Sequence, residues 1–154
     1  MTVQKRIVHG LVFGLFLLSA GGAVIHYLVH PVSKGPYGYV PMLVGILGLF
    51  VIPWLFYFKK TLHLAYILNG FSVIVGTVTM AHYALVSRPI WPDLLILWPK
   101  FFMGYALFHF QSFPATTDYS PGWKTIRYPH FGFWVWHLLS ISTVYALGHF
   151  LWSL

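Results

Sequence analysis

Long apolar runs alternate with short polar breaks from one end of the chain to the other. Five runs stand out, at residues 7–29, 40–58, 61–86, 92–113 and 130–152. Each is close to the roughly 20 residues that carry a helix across a bilayer. The breaks hold the punctuation of loops: Pro31 with Ser33-Lys34-Gly35-Pro36, the pair Lys59-Lys60, the stretch around Arg88, and the most polar segment, Pro114 to Pro129. The pattern predicts an all-α integral membrane bundle of five transmembrane helices, forming a single transmembrane domain over residues 1–154.

Local features refine these spans. Gly10 and Gly14 form a G-x-x-x-G, and Gly21-Gly22 follow, which favours close helix packing in the first span. That span is far longer than a signal-peptide core and precedes no small-residue cleavage site, so it is expected to be retained. Pro53 is expected to kink the second span near its end, where Trp54 and Tyr57 suit an interfacial belt. Asn69, Thr77 and Thr79 are polar groups within the third span, fit to bond a neighbouring helix.

Composition supports a membrane setting. Hydrophobic residues make up 58% of the chain and charged residues only 7%, against the roughly 25% charged of a soluble domain. Nine Lys and Arg face two acids, Asp93 and Asp118, giving a formal charge of +7. Such a balance in a soluble protein suggests nucleic acid, but here the cations cluster at span ends, where they set topology and meet anionic lipid. No basic stripe with interleaved aromatics faces water, so no nucleic-acid partner is expected. With the N-terminus inside, Lys5, Arg6, Lys59, Lys60, Lys124 and Arg127 fall inside and only Lys34 and Arg88 outside. The expected topology is N-terminus in, C-terminus out, in a prokaryotic cytoplasmic membrane. Cysteine is absent, which excludes disulfides, thiolate metal sites, iron–sulfur ligation and c-type haem attachment.

The candidate chemistry lies in nine histidines. Ionisable or ligating groups inside a membrane are costly and default to function. Threaded on the expected topology they sort into two layers: His9, His63, His109 and His130 near the inner face with His137 deeper, and His26, His30, His82 and His149 near the outer face. At about 1.5 Å per residue, His9 to His26 is about 25 Å, His63 to His82 about 28 Å and His137 to His149 about 18 Å. Two imidazole layers on facing helices are what two stacked haems need, one axial ligand from each of two helices. At about 100° per residue, His9 and His26 lie about 100° apart around their helix, His63 and His82 likewise, and His137 and His149 about 120°. One helix therefore does not present both of its histidines to a single cleft. His30 and His130, beside prolines at loop edges, read as interfacial groups.

On span count, the histidine-bearing first helix and the two layers, the chain resembles small di-haem membrane cytochromes b, the quinone-reactive anchor subunits of respiratory complexes. The five-span nitrate reductase gamma subunit is an architectural analogue, and no diagnostic motif carries ligands over by alignment. The resemblance implies one or two haems b; the ligands are expected from the layers alone, His82 with His149 in the outer one and His63 with His137 in the inner one. His26, His9 and His109 are the substitutes, and Lys100 and Arg88 are candidates to meet haem propionates, Lys100 by snorkelling. It further implies quinone as substrate and electron transfer to or from a partner redox protein, an iron–sulfur or cytochrome c subunit. Quinol would dock in an aromatic-lined crevice at one face, its proton taken by a non-ligating histidine or by Asp93.

Other readings compete. Membrane di-iron desaturases share only the histidine count, since the sole H-x-x-x-H is His26/His30 and no carboxylate lies inside the membrane. The stretch Thr125 to Gly132 is similar to the R-H-P-x-Y-x-G segment of isoprenylcysteine carboxyl methyltransferases. Arg127, Pro129 and Phe131 fit; Tyr128 replaces the histidine, Gly132 comes one position early, and the chain has no Glu. A transporter would show internal repeats, and none is visible. A haem-free structural subunit of a redox complex would carry the same histidines as interfacial groups.

Overall fold

In a bilayer a backbone is satisfied either within a helix or around a closed barrel, and long continuous apolar runs such as these suit the helix. The computed structural model describes residues 2–29, 47–48, 50–84, 91–113 and 126–152, with side chains throughout except at 25–29, 79–84, 92–93, 149 and 152. Among these residues all regular structure is helical: α1 (Val3–Val29), α2 (residues 50–55), a 3-10 turn (Lys59–Thr61), α3 (Leu62–Ala84), α4 (Trp91–Ser112) and α5 (Phe131–Trp152). Among the described residues three stretches are long and apolar enough to cross a membrane: Val3–Val24, Lys59–Val78 and Phe131–Gly148. α4 has comparable length, 22 residues, but carries Pro99, Lys100, His109 and Gln111 and does not reach that apolarity.

The helix limits have local causes. α1 starts four residues before the expected apolar run, because Thr2 caps it: its Oγ1 accepts from Lys5 N at 3.4 Å and its carbonyl from Arg6 N at 3.2 Å. α2 ends just after Pro53 in tightened turns, with Phe56 N donating to Pro53 O and Tyr57 N to Trp54 O. Thr61 Oγ1 then donates back to Leu55 O at 2.7 Å, and Gln111 Nε2 reaches Phe56 O at 3.1 Å. These bonds satisfy the orphan carbonyls at the end of α2 and tie the α2–α3 corner to the last turn of α4. Residues 40–46 of the expected second span lie outside the described residues.

Side-chain packing fixes the helix directions. Phe16 of α1 meets Trp54, and His9 meets Tyr57, so α1 and α2 are antiparallel. A methyl on Gly14 would strike Met103, and one on Gly22 would strike Ile96, so α1 and α4 are antiparallel. Gly104 abuts Asn69 and Gly76 abuts Leu97, so α3 and α4 are antiparallel too. Gly70 abuts Trp134 while Val78 lies beside Ile141 and Val144, so α3 and α5 run parallel. Close packing falls to Gly14, Gly21 and Gly22 against α4; Gly10 of the expected G-x-x-x-G faces open space.

The core occupies the half of the bundle nearest the starts of α1, α3 and α5. Val12, Leu15, Phe56, Tyr66, Phe101, Phe108 and Trp134 are all buried there. α5 packs chiefly on α3. Its remaining surface, including Leu139, Val144, Leu147 and Leu151, is exposed and apolar, as a lipid-facing helix requires.

Candidate functional site

At the start of α3 and α5 the fold gathers imidazole and phenol groups around one proline. His63 Nδ1 and Tyr128 Oη are hydrogen-bonded at 3.0 Å. Tyr66 Oη donates to Pro129 O at 2.7 Å, and His109 also bonds the Pro129 backbone. Proline offers only a carbonyl, so the imidazole is the donor. Tyr66 stacks on Phe108 at 4.2 Å and takes the edge of Trp134 at 5.4 Å. His109 lies 4.1 Å from Tyr105 and 6.4 Å from His130, centroid to centroid. Burial raises the Tyr128 phenol above its ordinary pKa.

The expected inner haem ligands are not brought together. Trp134 marks the level of Gly70; His63 lies two turns before that level and His137 nearly one turn beyond it. Their separation along the axis is about 15 Å. His63 is exposed and engaged by Tyr128, and His137 Nδ1 donates to Phe133 O at 2.7 Å. His9 is exposed and lies against Tyr57, on the α1–α2 side. Between α3, α4 and α5 the interior is filled by Tyr66, Phe101, Phe108 and Trp134, all buried. A haem therefore does not fit between His63 and His137, the pair expected to hold the inner one. No group of three or more His, Cys, Asp or Glu able to hold a metal ion occurs among the described residues.

The outer layer has a different geometry. Val78 of α3 flanks Ile141, Val144 and Tyr145 of α5. His82 follows Val78 by one turn and His149 follows Tyr145 by one turn, so the two positions share a level on adjacent parallel helices. His26 follows Gly22 by one turn, and Gly22 and Gly76 oppose the adjacent residues Ile96 and Leu97 of α4. Thus α1, α3 and α5 each bring a histidine position to this end of the bundle. His30 and Arg88 lie outside the described residues, as do the side chains of His26, His82, His149 and Asp93.

Lys100 departs from expectation. It does not snorkel to a membrane face: it is 1% exposed, and its Nζ has no hydrogen-bond partner among the described residues. The reason is helical phase. Ile96, Lys100 and Met103 form one stripe, and its flanking members pack onto the glycines of α1. Lys100, one turn from each of them, is thereby turned into the bundle rather than out to its surface. Asn69, also buried, donates through Nδ2 to Phe101 O at 3.3 Å, and its Oδ1 has no hydrogen-bond partner among the described residues.

Sequence reasoning set His130 aside as interfacial and did not pair it with His109. Tyr66 and Tyr128 were also missed, because no local spacing announces a carbonyl shared across three elements. No family model matches the chain, and no curated protein or solved structure is detectably similar to it.

Proposed function

We propose that the chain is a five-span membrane subunit that carries b-type haem at the outer end of the bundle and exchanges electrons with membrane quinone. Its N-terminus lies on the cytoplasmic side, and a partner redox subunit completes the electron path. The observation that carries the reading is the shared level of His82 and His149 on adjacent parallel helices, with His26 of α1 near the same level. Bound there, haem iron supplies one-electron chemistry between its ferric and ferrous forms. Orientation is supported by charge: Lys5, Arg6, Lys59, Lys60 and Arg127 are exposed at the end where α1, α3 and α5 begin.

A quinone-sized space adjoins that level. A groove of about 380 Å³ between α3 and α5 is lined by Val78, Ser140, Ile141, Val144 and Tyr145, within the roughly 300–1,000 Å³ of small-molecule sites. The lining is almost wholly apolar, which suits the ring and tail of a quinone. His137 stands one turn below Ile141, and because its Nδ1 donates to Phe133 O, its Nε2 is the nitrogen available to accept a quinol proton.

The test is the reduced-minus-oxidised optical spectrum of the purified protein. A haem b α-band that disappears in His82→Ala and His149→Ala is the expected result. A folded but colourless preparation refutes it in favour of a haem-free structural subunit. That second reading draws on the exposed apolar flank of α5, which a larger neighbouring subunit would also cover.

A further inference from the structure

The corner where α1 begins and α2 leads into α3 carries four cations that electron transfer at the outer level does not use. Lys5 and Arg6 stand at the start of α1, Lys59 and Lys60 form the short turn before α3, and all four side chains are exposed. The two pairs share a level. His9 of α1 lies against Tyr57 at 5.3 Å, centroid to centroid. Arg6 is about 4.5 Å from His9 along the helix axis. Lys59 follows Tyr57 by two residues in the same direction, because α1 and α2 are antiparallel. Among the described residues no carboxylate answers these cations. The chain has no Glu and two Asp; Asp93 is in the first turn of α4, at the opposite end, and Asp118 lies outside the described residues.

The positive-inside bias accounts for cations on this face of the membrane. It does not account for two pairs from separate elements meeting at one level, nor for the surface that leads away from them. At about 100° per residue, Arg6, Gly10, Phe13 and Leu17 fall within about 60° of one another around α1. All four are exposed. A Cβ at Gly10 would meet nothing within 4 Å, so the stripe is notched between the guanidinium and the two apolar side chains. On the adjoining α2, Trp54 is 57% exposed, as suits an indole at the headgroup level. A dissolved anion would need the charges alone. A phospholipid presents phosphate at the membrane face and acyl chain beneath it, which is the order of groups along this stripe.

We propose that this corner binds a phospholipid bearing two phosphates, one met by Lys5 and Arg6 and the other by Lys59 and Lys60, with an acyl chain lying in the notch at Gly10 against Phe13 and Leu17. Basic pockets between membrane helices on the cytoplasmic side suit such headgroups. Arg6 brings a planar fork of N–H donors to the phosphate oxygens, and the lysines act as point charges. The bound lipid ties the start of α1 to the α2–α3 turn, reinforcing the aromatic contacts of His9 with Tyr57 and Phe16 with Trp54. The site requires insertion in a membrane and no haem. A colourless protein therefore leaves it standing, and its own failure leaves the haem reading untouched.

The experiment uses the full-length protein, delipidated in a neutral detergent and titrated with cardiolipin, with phosphatidylglycerol and with inorganic phosphate. Native mass spectrometry reads lipid bound per chain, and the melting temperature is followed in parallel. One cardiolipin per chain is expected, bound at least tenfold more tightly than phosphatidylglycerol. It should raise the melting temperature, and inorganic phosphate should not. Affinity should fall at least tenfold in the double variant Lys59→Gln/Lys60→Gln. It should fall as far in Gly10→Trp, which fills the notch and leaves every charge in place. It should stay unchanged in Leu147→Trp, a bulky ring on the exposed flank of α5. All these positions are exposed, so the variants keep the fold. Equal affinity for phosphatidylglycerol, a like stabilisation by inorganic phosphate, or tight cardiolipin binding retained in either the double variant or Gly10→Trp overturns the proposal.

Discussion

Replacing Gly70 by alanine tests the packing of α3 on α5. A Cβ at this position runs into Cε3, Cζ3 and Cη2 of Trp134. Trp134 is 3% exposed and is surrounded by Tyr66, Phe101 and Phe133, so its indole has no open side to move into. Forcing extra volume into a filled interior costs typically about 1–3 kcal/mol. Alanine in place of a helical glycine returns up to about 1 kcal/mol. The expected net loss is about 1–2 kcal/mol, a shift of roughly five- to thirtyfold in the folding equilibrium. Gly10→Ala and Gly148→Ala, whose methyl groups meet nothing within 4 Å, retain only the propensity gain and should be neutral or slightly stabilising. Unfolding in mixed micelles of increasing SDS fraction, followed by circular dichroism, measures all three. Trp134→Phe removes the benzo ring that the methyl strikes, so the cost of Gly70→Ala should shrink in that background. If Gly70→Ala unfolds no more readily than Gly10→Ala, the contact of α3 with α5 is not as described.

Two further perturbations probe polar groups. Lys100→Met exchanges a buried, unpartnered amine for an apolar side chain of similar reach and should raise stability by about 1–3 kcal/mol; a loss in the same SDS titration would show that the amine has a partner in the bundle. Because burial raises the folded-state pKa of Tyr128, its neutral phenol contributes stability that is complete below about pH 10 and is lost as pH climbs through the raised value. Unfolding free energy should therefore fall more steeply above that pH in the wild type than in Tyr128→Phe. At neutral pH the same variant should lose about 0.5–1.5 kcal/mol with the His63 hydrogen bond, and parallel pH profiles for the two proteins would exclude Tyr128 as the source.

Much of the helical layout could be read from local sequence, because helix formation in an apolar run answers to neighbours a few residues away. The ends of α3, α4 and α5 lie within a few residues of the apolar runs at 61–86, 92–113 and 130–152. The earlier start of α1 depended on Thr2, a capping residue outside the apolar pattern. The division of histidines between two ends of the bundle also follows from counting, since rise per residue is fixed. What counting could not give was how far each helix is shifted along its neighbours, or which way it is turned toward them. His63 and His137 were assigned to one layer, yet the level of Gly70 lies between them, and an aromatic core fills the space a cofactor would need there.

The sequence alone therefore determined the helical class, the approximate limits of α1, α3, α4 and α5, and the grouping of cations near the starts of α1, α3 and α5. Those properties depend on local bonding and on the alternation of helix direction. Tertiary structure decided which groups meet: Trp134 on Gly70, Met103 and Ile96 on the glycines of α1 with Lys100 buried between them in sequence, and His109 beside His130 at the Pro129 carbonyl. Each of these contacts joins residues far apart in sequence, and each depends on the rotation of one helix about its axis relative to the next. That rotation is set by where small side chains let helices approach and where large ones hold them apart, which is a property of pairs of helices and cannot be read from either one alone.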